Sequence, residues 1–230
     1  MKIPLIYGNY YHIYNRGNNR NDIFVNDEDY LHFLELYAIY IDTIADTFAW
    51  CLMKNHFHVL IRIKNKTEIG YLDSRKSDSD DLFLKWKTCF PKQTDSNFNR
   101  KPTPSRQFQH LFNAYSRWFN IRHKRTGALF ENTFERKLVD HRRYFQNMIV
   151  YIHQNPVRHG FAEHVLDYPW TSYLTILSDK STKLKRKMVI GDFGNVENFN
   201  ELHQDFQGDS CIEHLIIEWL EIRRIFHYPK

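Results

Sequence analysis

Two histidines flank one phenylalanine in His56-Phe57-His58, at the head of the apolar run that continues to Ile63. On a strand, side chains alternate between faces, so both imidazoles project one way while Phe57, Val59 and Ile61 project the other. Neutral imidazole is the commonest protein metal ligand. The pair is therefore a candidate half of a metal site, and equally a polar strand face, until a partner is found elsewhere in the chain. A second apolar run, Phe48–Met53, precedes it, and the polar Lys54-Asn55 between them predicts two strands joined by a tight turn.

A second constellation lies about a hundred residues on. Asp140 reads as the cap of a helix from His141 to about Gln154, along which Tyr144, Met148, Tyr151 and Asn155 share one side. Asn155-Pro156 predicts its stop, because the residue before a proline is pushed out of the helical region. Taken alone, a tyrosine one turn before an asparagine at a helix end reads as core packing with a C-terminal cap.

The elements that must position these groups follow from pattern. Tyr10–Arg16 is β-prone, ends at Gly17 and is followed by the polar turn 18–22; His12 within it falls near the histidine pair but reads as a structural histidine. Asn26 or Asp27 caps a helix to about Thr43, with Leu31, Leu34, Tyr37/Ala38 and Ile41 at helical spacing and Glu28 and Asp29 in the first turn. Strand, helix, strand, strand begins a ferredoxin-like plan. Lys64 to Pro104 reads as an insertion on the domain edge, polar over 74–81 and 92–100, with Leu82–Phe90 as a short helix. From Ser105 a helix carries Phe108, Leu111/Phe112, Tyr115 and Phe119 on one face and ends in the basic group Arg117, Arg122, His123, Lys124 and Arg125. Those charges suit a solvated face or a phosphate-contacting one. After Gly127, Ala128–Val139 predicts a strand with Arg136 and Lys137 near its end. Tyr168-Pro169-Trp170 starts a last compact piece, Lys180–Lys187 is a short basic run, and Phe193–Phe206 and Ile212–Ile225 predict short helices.

Length and composition bound the answer. The 230 residues fit one domain with elaborations, and 42% hydrophobic with 16% aromatic residues is ample for a core. No apolar run approaches the roughly 18 residues of a membrane span, and the N-terminus lacks a signal-peptide pattern, so a cytoplasmic protein is expected. Cys51, Cys89 and Cys211 are widely spaced and suggest neither a disulfide framework nor a zinc ribbon. A net charge of +5, a pI near 9.0 and basic residues interleaved with Tyr, Phe and Trp suit single-stranded nucleic acid, whose phosphates meet cations and whose bases stack on rings. There is no internal repeat and no glycine-rich phosphate loop.

Three ordered blocks then carry a resemblance. Met53-Lys54-Asn55-His56-Phe57-His58-Val59, Arg125-Thr126-Gly127-Ala128-Leu129-Phe130, and Tyr151-Ile152-His153-Gln154-Asn155-Pro156-Val157-Arg158 resemble the REP-associated tyrosine transposases, of the HUH superfamily of single-strand DNA endonucleases. Tyr11-His12-Ile13, Asn15-Arg16-Gly17 and Tyr168-Pro169-Trp170-Thr171-Ser172-Tyr173 look like further family blocks, so the resemblance covers about Tyr10 to Tyr173. It implies an α+β, ferredoxin-like catalytic domain over 1–177, with the insertion at about 64–104, and a C-terminal appendage over 178–230. Residue by residue, it implies His56 and His58 as catalytic metal ligands, Tyr151 as nucleophile and Asn155 as third ligand of Mg²⁺ or Mn²⁺. Candidate DNA contacts are Asn15, Arg16, Lys54, Arg117, Arg122, Lys124, Arg125, Arg136, Lys137 and Arg158. Lys54 stands where many relatives have proline, and the insertion departs from the simplest members.

The implied activity is nicking and rejoining of single-stranded, hairpin-bearing DNA through a 5′-phosphotyrosine link. A divalent ion on two imidazoles and an amide oxygen, with open positions, can polarise a phosphodiester, and the oxygen ligand and phosphate suit Mg²⁺ or Mn²⁺. A DNA-binding protein of transposase ancestry that cuts little or not at all is the alternative. A replication-initiator or relaxase-like nuclease fits the chemistry but not the Asn-Pro-Val-Arg and Tyr-Pro-Trp blocks, and a hydrolytic metalloenzyme would not need Tyr151. The protein could act as monomer or homodimer.

Overall fold

The computed structural model describes residues 3–91, 95–131 and 133–204. Cys211, the predicted helix over 212–225 and the last residues of the one over 193–206 lie outside them.

In chain order the elements are β1 (Tyr10–Arg16), α1 (Asp27–Tyr40), β2 (Ala45–Met53), β3 (His56–Ile63), β4 (Tyr71–Leu72), α2 (Leu82–Trp86), β5 (Thr88–Cys89), α3 (Pro104–Arg122), β6 (Glu135–Val139), α4 (Arg142–Arg158), α5 (Tyr173–Leu177), α6 (Arg186–Phe193) and α7 (Val196–Gln204). The main sheet is antiparallel in the order β2-β3-β1-β6. Strand β1, helix α1, the β2–β3 hairpin, helix α3 and strand β6 complete the expected ferredoxin-like βαββαβ plan.

The alternating pattern of the strands divides the core in two. Tyr11 and Ile13 of β1 and Phe57, Val59, Ile61 and Ile63 of β3 pack with α1 and α3, through Phe33, Leu36, Phe108, Leu111 and Tyr115. The other face buries Cys51 and Met53 of β2 and Leu60 of β3 under α4, with Val189, Phe193 and Phe199 of α6 and α7 in the same cluster. Helix α1 starts as its sequence dictates: the Asn26 side chain accepts from the Asp29 N–H and the Asp29 carboxylate accepts from the N–H groups of Val25 and Asn26.

Several elements differ from their sequence reading. Only Glu135–Val139 of the stretch from Ala128 forms a strand; Leu129 and Phe130 are buried in the core instead, with Phe130 bridged to Gly17. The insertion is a strand pair, β4 with β5, bracketing the shorter helix α2, and Trp86 anchors it on Tyr40. Helix α4 is capped by His141, whose Nδ1 accepts from the Tyr144 N–H at 3.1 Å, and it continues through Pro156 to Arg158. Proline removes one donor, but its fixed φ is helical, and the chain closes the last turn with the His159 N–H on the Asn155 carbonyl.

The block around Trp170 seals the free edge of β2. The Leu52 N–H donates to the Trp170 carbonyl and the Ser172 N–H to the Trp50 carbonyl, both at 2.9 Å, which blunts an otherwise exposed strand edge. Ser172 also starts a buried chain of hydrogen bonds. Its Oγ accepts from the Trp50 N–H at 2.9 Å and donates to His153 Nε2 at 2.7 Å; His153 Nδ1–H donates to His203 Nε2 at 2.8 Å, and His203 Nδ1–H to the Phe199 carbonyl. Every member is satisfied, so sheet edge, α4 and α7 are bound together. The basic run before α6 is likewise engaged within the chain: Lys183 pairs with Asp42 at 2.8 Å and Lys185 with Asp46 at 3.0 Å. Cys51 is buried, which pushes its thiol up, and neither it nor Cys89 is in a disulfide. No helix among the described residues is long and apolar enough to cross a membrane.

Candidate active site

The antiparallel register fixes what stands beside the histidines. On β1, Arg16 lies opposite His56 and Tyr14 opposite His58, and one step further His12 lies opposite Leu60. Even-numbered residues of both strands thus share the face that α4 covers. The helix runs toward the end of the sheet where β1 finishes and β3 starts, bringing Tyr151 over this face.

The Tyr151 ring stands edge-on to His58 and to His12, with centroids 5.8 and 6.0 Å away. His56 and His58 are perpendicular at 5.1 Å. Asn155, one turn beyond Tyr151, donates through Nδ2 to the Tyr151 carbonyl at 2.8 Å. That bond turns the other end of the amide, Oδ1, away from the helix backbone. Asn155 is 1% exposed, and its Oδ1 is buried without a hydrogen bond, as is Nε2 of the equally buried His58. Two buried polar atoms without partners are expensive in a folded protein, and a cation would answer both wherever His58 Nε2 carries no proton. His56 has its Nδ1 on the Asn55 side-chain oxygen at 2.7 Å, so the proton sits on Nδ1 and Nε2 is the acceptor nitrogen.

Electrostatics keeps these groups neutral. Burial, and then the neighbouring imidazoles, hold His56 and His58 well below the ordinary histidine range. Both are therefore uncharged at neutral pH, the form in which imidazole ligates metals. His12 is pushed down to about 3 by burial, with Lys137 adding to it. The Tyr151 phenol is pushed up to about 12 by burial, against the opposing pull of the Asn155 side chain and the Arg158 guanidinium. Arg158 lies 5.7 Å from the centre of the Tyr151 ring. Among the described residues no three His, Cys, Asp or Glu side chains form a metal-ligating cluster. An ion here would need a ligand of another kind beside the imidazoles, and Asn155 Oδ1, buried without a hydrogen bond, is of the right chemistry.

The candidate DNA contacts are not all in one place. Arg16, Lys54 and Arg158 surround the histidine end of the sheet, with Lys54 exposed in the β2–β3 turn. Arg16 holds Glu131 at 2.5 Å, and Asn15 is buried against the Glu131 carbonyl. The basic group ending α3 belongs to the opposite layer, and parts of it are engaged: Arg122 pairs with Glu28 and Asp29, and Arg125 bonds Asn120 and the Ala128 carbonyl. Arg117 and Lys124 of this group are exposed. On β6, Lys137 stands opposite His12, whereas Arg136 lies over the Phe134 ring on the other face. The sequence reading missed His159, whose ring lies 5.4 Å from His56. It follows Asn155 by four residues, so a helix recognised as passing Pro156 would have placed it on the same side.

No family model matches the chain. A protein of Haemophilus influenzae named as a REP-associated tyrosine transposase is 26% identical over 133 residues, which cover 56% of this chain and 58% of that relative. The match therefore spans little more than half the relative's length. A solved structure described as a REP-associated tyrosine transposase bound to a REP hairpin aligns with a TM-score of 0.51 and 13% identity, covering 78% of this chain and 85% of that one. In sequence and in fold, the chain is similar to the REP-associated tyrosine transposases.

Proposed function

We propose that the chain nicks and rejoins single-stranded, hairpin-bearing DNA through a covalent link to Tyr151, with a divalent ion held by His56, His58 and Asn155. The observation that carries this reading is that α4 lays Tyr151 across His58 while the Asn155 amide oxygen and His58 Nε2 are both buried without a hydrogen-bond partner. The similar solved structure, described as bound to a REP hairpin, suggests the hairpin as the substrate class.

In this reading the Tyr151 oxygen attacks the scissile phosphorus, forming the phosphotyrosine ester. The P–O3′ bond breaks, and the departing 3′ oxygen gains a proton while the phenol loses one. Rejoining runs the same exchange backwards with a 3′-hydroxyl as nucleophile, so the linkage is kept as a reactive ester rather than lost to water. A phenol pushed up to about 12 is protonated at neutral pH, and its ionisation is the step that needs help. His56, His58 and Asn155 would hold a divalent ion, which would supply charge neutralisation to the scissile phosphate. Arg158, beside the ring, favours the phenolate. Burial beneath the helix holds nucleophile and imidazoles in one fixed relation, so little reorganisation is needed when DNA arrives.

Labelled single-stranded hairpin DNA, Mg²⁺ or Mn²⁺ and the purified chain are the test, run beside Tyr151→Phe on a denaturing gel. A covalent protein–DNA band in the wild type alone is expected. Cutting by both proteins would move the chemistry to metal-bound water. One observation favours the non-cutting alternative: Tyr151 is only 3% exposed. Tight, salt-sensitive binding of hairpins without any covalent band would establish it.

A further inference from the structure

Sequence alone reads His12 as a structural histidine; the structure sets it against His58. It is fully buried, its Nε2 lies 2.9 Å from His58 Nδ1, and the two rings are stacked with centroids 5.0 Å apart. One proton occupies that hydrogen bond, and its owner decides what His58 can do. If His12 Nε2 carries it, His58 Nδ1 is the acceptor, and neutral His58 must place its own proton on Nε2, which then cannot ligate. If His58 Nδ1 carries it, His58 Nε2 presents a lone pair.

We propose that His12 is a positioning residue that sets His58 in the ligating tautomer, its Nε2 accepting the His58 Nδ1–H so that His58 Nε2 faces the ion. This rests on the ion site proposed above. Several features converge on the assignment. The partner ring stands at hydrogen-bonding distance from the non-ligating nitrogen, as the outer-shell partner of a metal-bound histidine does. The same arrangement serves the neighbouring ligand, since Asn55 Oδ1 takes the Nδ1–H of His56 at 2.7 Å. Both rings therefore present Nε2 by the same means, one held by an amide oxygen and one by an imidazole. With an ion on His58 Nε2, the only proton available to the shared bond is that of His58 Nδ1; His12 then keeps its own proton on Nδ1, an atom that is buried without a hydrogen-bond partner. That unsatisfied donor is a cost which the ion's coordination must offset. In the ion-free chain the opposite tautomer merely moves the unsatisfied donor to His58 Nε2, so neither arrangement is strongly preferred until the ion arrives. Stacking of His12 against Tyr14 at 4.9 Å on its own strand keeps the ring upright for the task.

The test measures metal binding on the full chain by calorimetry with Mn²⁺, beside hairpin binding without metal. His12→Leu is expected to weaken Mn²⁺ binding about 10- to 100-fold, the usual effect of losing an outer-shell partner. His12→Gln, whose side-chain oxygen can accept the same N–H, is expected to restore most of it. Hairpin affinity without metal should be unchanged in both. A folded His12→Leu that binds Mn²⁺ as tightly as wild type would overturn the assignment and leave His12 as packing. Absence of Mn²⁺ binding by the wild type would instead overturn the ion site itself, and His12 with it. Should His12→Leu fail to fold, long-range ¹H–¹⁵N NMR of the wild type with Mg²⁺ reads the tautomer directly. A proton on His58 Nδ1 is expected; one on Nε2 would refute the proposal.

Discussion

At the residue scale, Asn155 shows how one amide can serve two ends. Its Nδ2 is tied to the backbone of the residue that would attack, and its Oδ1, buried without a hydrogen bond, is the atom proposed to meet the ion. A cap or packing role would leave that oxygen indifferent to metal. Asn155→Ala is therefore expected to abolish the Mn²⁺ dependence of cleavage and to leave metal-free hairpin binding within a few fold, measured by titration of metal and of DNA separately. Equal loss of both would return the residue to a structural role. The Tyr151 ring also stands edge-on to His12 and His58, 6.0 and 5.8 Å away on strands more than ninety residues earlier.

At the element scale, the segment after β6 is what converts a ferredoxin-like sheet into a two-sided structure. The Tyr168–Tyr173 block pairs with the edge of β2, and α6 and α7 pack with α4 on the site face. Ser172 joins these parts, because it both accepts from the Trp50 N–H and donates to His153. Ser172→Ala leaves a buried backbone donor and a buried imidazole nitrogen unsatisfied, at about 1–3 kcal/mol. For a chain of this size that lowers the melting temperature by several degrees, read in a thermal melt of the purified protein. An unchanged melting temperature would mean that the chain of hydrogen bonds does not bind α7 to the sheet. The sequence pattern held for β1, α1 and the hairpin because each is specified locally, by alternation, by a capping box and by a two-residue turn. It misjudged α4 because the end of a helix at proline depends on what receives the last turn, and here His159 closes it.

At the scale of the whole molecule, positive charge is gathered where β1 ends, the β2–β3 turn lies and α4 finishes, with the end of α3 arriving from the opposite layer. Not all of it is available to phosphate. Arg122 is committed to Glu28 and Asp29, and Arg125 to Asn120 and a backbone carbonyl. Arg117→Gln with Lys124→Gln is expected to lower the slope of log affinity against log salt by roughly 0.7–0.9 for each residue that touches a phosphate. Arg122→Gln should act mainly on stability. A slope unaltered by the double change would place the DNA on the Arg16, Lys54 and Arg158 rim alone, and filter-binding at several salt concentrations distinguishes the two.

The sequence by itself determined the strands of the hairpin, the side of it on which His56 and His58 stand, and the helix on which Tyr151 and Asn155 share a side, because alternation and helical spacing are properties of neighbours in the chain. Three ordered motifs added the resemblance that the comparisons bear out. Only the tertiary structure decided which face of the sheet the tyrosine helix covers, that His12 meets His58 at 2.9 Å, that His159 stands beside His56, and that Arg122 at the end of α3 and Arg125 just beyond it are already partnered. Each of these depends on register between strands or on packing between layers. Residues 46 apart in the chain share a hydrogen bond only after folding, and no local pattern records it.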